Sequence, residues 1–240
     1  MAEKDTVLSI KNLKKIYKSD SNYFFKKDYV KVIDKFDLEV KRGECVGISG
    51  KSGSGKTTVV KCILNLEEPD EGEIIIDNET VFDSSKKINL FKDKKKSFNI
   101  RKKIQLIMQD PGSALDSKLR IGKLLEYTLK NYNPDYESEQ IKKEINDTFK
   151  LCGLGENVYN KYPYQLSGGQ KQRVCIARAL ILNPEILICD EITASLDISL
   201  QKKILELLQS LKEKLKIAII FISHDRKVVS KFCDRICYIS

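Results

Sequence analysis

The run Gly50-Lys51-Ser52-Gly53-Ser54-Gly55-Lys56-Thr57 places three glycines, a lysine and a hydroxyl at close spacing. A polyphosphate is held by many backbone N–H groups converging on it, so glycines are needed where side chains would block approach, just ahead of a helix N-terminus. Gly50, Gly53 and Gly55 meet that need, and Ser52 sits between them. Lys56 is spaced to reach the β- and γ-phosphates, the Thr57 hydroxyl to ligate magnesium, and Thr58 continues the same turn. The alternative reading is a plain glycine-rich turn. A strand-like run before the loop and helical spacing after it favour the phosphate loop.

Phosphoryl chemistry needs a carboxylate element opposite such a loop, to hold magnesium and orient the attacking water. Ile186-Leu187-Ile188-Cys189-Asp190-Glu191 supplies an apolar strand closing in two acids. Asp190 is predicted to bind magnesium through its water shell, and Glu191 to polarise the nucleophilic water. Taken alone, such a pair is more often a solvated strand end or a helix cap. Guanine-nucleotide proteins carry similar loops together with an Asn-Lys-x-Asp segment, and Asn160-Lys161-Tyr162-Pro163 departs from that pattern at its last position. ATP is the nucleotide favoured.

The elements that must position these residues read as an α/β chain. Residues 7–10 and 30–40 carry short apolar runs, and Gly43-Glu44 turns the chain into a buried strand over 45–49. The loop follows at once, then a helix over 56–66 carrying Val59, Val60, Ile63 and Leu64, ended by Glu67-Glu68-Pro69-Asp70-Glu71-Gly72. Ile74-Ile75-Ile76 and residues 104–108 read as strands, and 121–151 as helical, with Ile141, Ile145, Phe149 and Cys152 on one face. Residues 185–189 and 217–222 are nearly continuous apolar runs, the pattern of central strands in a parallel sheet covered on both faces, and 235–239 reads as a last strand.

Length and composition agree with one large domain: 240 residues, 41% hydrophobic, can bury a sizeable core. No run of about 18 apolar residues occurs, and Met1-Ala2-Glu3-Lys4-Asp5 lacks the apolar stretch of a secretory signal, so a cytoplasmic location is expected. The seven cysteines lack zinc or disulfide-framework spacing and are read as reduced core residues. Cys233 and Cys237, four apart, would share a helix face. A net charge of +9 permits anionic partners without choosing one. Much of it lies at Lys86-Lys87 and over 92–103, read as a solvated hairpin or loop rather than a membrane or nucleic-acid patch, since no aromatics interleave it in a stacking pattern.

Leu166-Ser167-Gly168-Gly169-Gln170, about 20 residues before Asp190, resembles the signature motif of the ATP-binding cassette (ABC) family. Physically it is also a serine-glycine turn capping a helix, with an anion-binding surface of its own. The resemblance covers essentially the whole chain. It implies a phosphate-loop NTPase core with a mixed, largely parallel sheet, an N-terminal antiparallel β subdomain and an inserted helical subdomain. The boundaries so implied are a single domain over 1–240, with the core at 1–109 and 183–240 and the helical subdomain at 110–182.

Further residues acquire roles by the same resemblance. Tyr17 is similar to the aromatic that stacks on adenine, and Gln109 to the glutamine that contacts magnesium and water. Ser195-Leu196-Asp197 matches the loop crossing the dimer interface, and His224, the only histidine, matches the switch histidine at the γ-phosphate. In the family, Ser167, Gly168, Gly169 and Gln170 close over ATP held by a second cassette. The implied partners are that cassette, integral membrane permease subunits and an extracellular solute-binding protein, with no nucleic acid. The implied position is peripheral, on the inner face of the membrane.

Gln109-Asp110-Pro111, Ser113-Ala114-Leu115 and the lengthened stretch 18–29 resemble cassettes of the oligopeptide, dipeptide and nickel importers. Ile192, where those cassettes commonly have proline, and Ala194-Ser195, in reversed order, depart from them while leaving the phosphate-contacting groups intact. Members of that subfamily continue beyond the position of Ser240, which implies a truncated or a naturally short form. The expected function is the ATP-hydrolysing subunit of a solute importer. The alternative is a non-transport cassette that assembles an enzyme or nucleic-acid complex. A small kinase is disfavoured, because it needs no signature element.

Overall fold

The computed structural model describes residues 5–18, 29–51, 53–194 and 196–239. Ser52, Ser195 and most of the stretch 18–29 lie outside the described residues. The chain opens with β1 (Thr6–Lys18), β2 (Tyr29–Lys41), β3 (Cys45–Ser49) and α1 (Lys56–Ile63). Next come β4 (Glu71–Ile76), β5 (Glu79–Asp83), β6 (Ile88–Asn89), α2 (Lys94–Lys103) and β7 (Ile104–Ile107). Four helices follow, α3 (Pro111–Ala114), α4 (Ile121–Tyr132), α5 (Ser138–Leu151) and α6 (Gly168–Leu180). The chain then returns through β8 (Ile186–Asp190), α7 (Ile198–Leu215), β9 (Ala218–Ile222), α8 (Arg226–Phe232) and β10 (Arg235–Tyr238).

The strands form two sheets, the antiparallel β subdomain and the largely parallel core that the resemblance implies. The first, in order β2-β1-β4-β5-β6, is antiparallel, and the second, β10-β3-β9-β8-β7, is parallel at every pairing. The parallel strands alternate between two separate cores, as the two-residue repeat of a strand requires. Leu187 and Cys189 of β8 and Ile219 and Phe221 of β9 face a core shared with α4 to α8. Ile186 and Ile188, with Ala218, Ile220 and Ile222, face a core shared with α1 and the antiparallel sheet. Continuous apolar runs are thus needed because both faces are covered.

Four local expectations are corrected. The segment 121–151 is two helices, because Pro134 lies in the gap between Tyr132 and Ser138, where its missing N–H and fixed φ end α4. Lys86-Lys87 lie in the hairpin turn between β5 and β6, as expected, but residues 94–103 form a helix, not a hairpin or loop. Asp93 caps α2 by accepting from the Lys96 amide at 3.0 Å, Ile100 is buried, and Phe98 stacks on Tyr132 of α4 with ring centroids 4.1 Å apart. Cys233 and Cys237 share no helix face: Cys233 caps the end of α8 and Cys237 lies in β10. The first helix also stops at Ile63 rather than Leu66, the chain leaving through Asn65 at φ 48°. The seven cysteines carry no disulfide, and five of them are buried.

Candidate functional site

The phosphate loop joins β3 to α1, as the sequence predicts. Gly55 caps α1 at φ 94°, a left-handed conformation open to glycine, and a Cβ there would lie 2.8 Å from the Val32 carbonyl oxygen of β2. At Gly50 an added Cβ would meet Ser54 Oγ at 2.4 Å and the Ile239 carbonyl oxygen at 2.7 Å, so the turn closes only around bare backbone. Gly55 offers no side chain to cap α1, so the first N–H groups of the helix stand at the loop as a helix N-terminus suited to an anion. Lys56 is buried, and its ammonium donates to the carbonyls of Gly50 and Lys51, both at 2.9 Å.

The acids arrive on the neighbouring strands. Register pairs Asp190 at the end of β8 with Ile222 at the end of β9, so Glu191 and His224 emerge side by side at the carboxyl edge of the sheet. Glu191 sits at φ 51°, its amide donating to the Ile222 carbonyl at 3.0 Å, and His224 Nδ1 lies 3.5 Å from Glu191 Oε1. Burial pushes the Asp190 carboxyl above its ordinary range, Glu191 beside it adds to the rise, and Lys56 opposes it. A cavity of about 540 Å³ is lined by Val32, Gly53, Gly55, Lys56, Thr57, Thr58, Glu191 and His224. Seven residues singled out in the sequence therefore converge on one space.

Other predicted residues stand apart from that lining. Gln109 is exposed just beyond β7, the strand beside β8. The Tyr17 hydroxyl donates to Glu67, and Lys15 Nζ lies 5.6 Å from its ring centroid. Ser167 caps α6 in a reciprocal pair: its Oγ accepts from the Gln170 amide at 3.3 Å, and its own amide donates to Gln170 Oε1 at 3.1 Å. An added Cβ at Gly168 would meet open space, whereas Gly169 lies against Leu200. Asp197 caps α7, accepting from the Leu200 amide at 2.9 Å.

Val32 was not legible as a site residue, because its approach to Gly55 sets β2 against the start of α1 and no local spacing encodes it. The Ser54 hydroxyl, buried in the loop without a partner among the described residues, was equally hidden behind its generic place in the motif.

Residues 33–194 match the family described as ABC transporter. The oligopeptide transport ATP-binding protein OppF of Haemophilus influenzae is 36% identical over 223 residues, 92% of this chain and 64% of the relative. The chain thus spans just under two thirds of that relative's length. AppF of Bacillus subtilis, also an oligopeptide transport ATP-binding protein, is 33% identical over 236 residues, 98% of this chain and 69% of its own. Among solved structures, CbiO1 from Clostridium perfringens, part of an ABC transporter complex, superposes with TM-score 0.81 at 28% identity, covering 98% of this chain and 85% of that one. The cassette MJ0796, a dimer bound to ADP and phosphate after hydrolysis, gives 0.78 at 33% identity, covering 97% and 94%. With the loop, Glu191 and His224 gathered on one cavity and the family match spanning the loop and the acid pair, the chain belongs to the ABC transporter family.

Proposed function

We propose that this chain binds and hydrolyses ATP to power a membrane importer of peptides. The observation that carries the proposal is the convergence of Lys56, Thr57, Glu191 and His224 on one cavity beside a phosphate loop. Lys56 would exchange its two main-chain carbonyls for phosphate oxygens. Glu191 would polarise the attacking water, and His224 would hold Glu191 and the terminal phosphate in line.

The residues present fit magnesium. Thr57, Asp190 and Gln109 offer oxygen donors of the kind that hard cations take, and a divalent cation would favour the charged form of Asp190, which burial first and Glu191 second disfavour. Magnesium, when bound, supplies charge neutralisation across the phosphates.

The importer reading rests on the oligopeptide relatives and on the absence, among the described residues, of any helix long and apolar enough to cross a membrane. It implies permease subunits as partners, approached through the helices of 110–182, and an extracellular binding protein that selects the cargo. It implies a second cassette whose ATP is covered by Ser167, Gly168, Gly169 and Gln170, with Tyr17 on adenine and Asp197 at the interface.

The test is Glu191→Gln. ATP binding should persist, hydrolysis should fall at least a hundredfold, and ATP should trap a dimer in size-exclusion chromatography. Unaltered turnover would remove Glu191 as the base, and a failure to co-purify with permease subunits from membranes would favour a non-transport cassette.

A further inference from the structure

Gln172 is fully buried in α6, and neither its Oε1 nor its Nε2 has a hydrogen-bond partner among the described residues. A buried carboxamide left unpaired costs about 1–3 kcal/mol per group, so its retention at this position calls for a use. The other long polar side chains of this helix's middle are engaged: Arg173 donates to the Cys152 carbonyl at 2.7 Å, and Arg178 donates to that of Ala114.

The helix contacts locate Gln172. At about 100° per residue it projects roughly 60° from Gly169 on one side and 60° from Cys175 on the other. Gly169 abuts Leu200 in the first turn of α7, where an added Cβ would come within 2.6 Å of Leu200 Cδ1. Cys175 Sγ donates to the Pro111 carbonyl at 3.8 Å. The carboxamide therefore faces the seam between the start of α7 and the segment leading from Gln109 into α3. Ile192 and Thr193, which follow Glu191 directly, are 1% and 3% exposed, and Ile192 belongs to the same core as Val174 and Ile176 of α6.

We infer that Gln172 is a positioning residue: when ATP draws the signature turn inward, its carboxamide pairs with main-chain groups of residues 192–194 and ties α6 to Glu191. The inference rests on the ATPase reading above. It places the coupling between the signature turn and the base inside one chain, through a group that stays unpaired until the helix shifts.

Gln172→Met keeps the volume and removes the amide. Without added nucleotide the variant should melt at or above the parent temperature, because an unpaired buried group has been deleted. Its ATP affinity should stay within about twofold of the parent, while kcat should fall at least tenfold. In the Glu191→Gln background, ATP-induced dimerisation should weaken by a similar factor. A lowered melting temperature together with lost activity would overturn the inference, since the amide would then be paired in the resting protein, by buried water or otherwise. Parental kcat in Gln172→Met would overturn it as well. A parent chain that fails to hydrolyse ATP would instead overturn the reading on which it rests. Gln172→Leu, also apolar, checks that the result belongs to the amide and not to methionine.

Discussion

His224 Nδ1 lies 3.5 Å from Glu191 Oε1, and both side chains line the phosphate-loop cavity. The pair exists because β8 and β9 are parallel neighbours in register, so the residues leaving their carboxyl ends are adjacent although 33 positions separate them in the chain. That edge of an open parallel sheet is where ligands bind in this class of fold. The imidazole is 65% exposed and free to turn toward a phosphate, while the carboxylate is held closer in, at 27%.

Replacing His224 with alanine should lower kcat by about a hundredfold with ATP binding retained, the size expected when one positioned proton-transfer partner is lost. Initial rates and equilibrium binding on the same preparation separate the two effects. Equal rates in parent and variant would take His224 out of the reaction.

Asp190 gives a stability prediction with a defined sign. Its carboxyl is raised by burial and by Glu191, so its protonated form is favoured in the fold, and the stability it contributes is complete below the ordinary carboxylate range and lost as pH rises through the raised value. Asp190→Asn should therefore melt higher than the parent at neutral pH. The difference should shrink on acidification, while magnesium-dependent ATP binding is lost. A variant less stable than the parent at pH 7 would contradict this account.

Gly55→Ala should destabilise the chain by about 1–2 kcal/mol from the left-handed backbone alone, and further because the new methyl meets the Val32 carbonyl at 2.8 Å. Denaturant unfolding reads the loss, and nucleotide binding should disappear with it. An alanine variant of parental stability would mean that β2 yields readily at Val32.

Tyr17 separates stacking from hydrogen bonding. If its ring takes the adenine, Tyr17→Phe should keep ATP affinity and Tyr17→Ala should lose about 1–3 kcal/mol, the range for a base on an aromatic face. Equal losses in both variants would point to the hydroxyl and its bond to Glu67 as the important group.

The sequence made the local units legible, because each is written in consecutive residues. Three glycines before Lys56 demand a strand-loop-helix, and Ile186 to Glu191 demands a buried strand ending at an acid pair. The division into an antiparallel subdomain and a core sheet came from the family resemblance; the pairing within the subdomain was not legible, since the long ladder of β1 and β2 carries several register shifts that no periodicity announces. The break between α4 and α5 was signalled by Pro134 and passed over because the apolar spacing continued beyond it. The lysine-rich helix was concealed by its charge: what orders it is Asp93 at its start, Ile100 beneath it and Phe98 against Tyr132, three contacts thinly spread through a polar run. Val32 shows the general limit, for its role follows from where β2 passes and not from what it is.

The ammonium of Lys56, clasped by the carbonyls of Gly50 and Lys51, has a kinetic consequence. A lysine already braced by main-chain carbonyls would trade one set of oxygen acceptors for another on ATP capture, and would forgo most of the entropic cost of ordering a free side chain. Association should then run near the rate of orientated diffusion, and selectivity among nucleotides should reside in how slowly each one leaves.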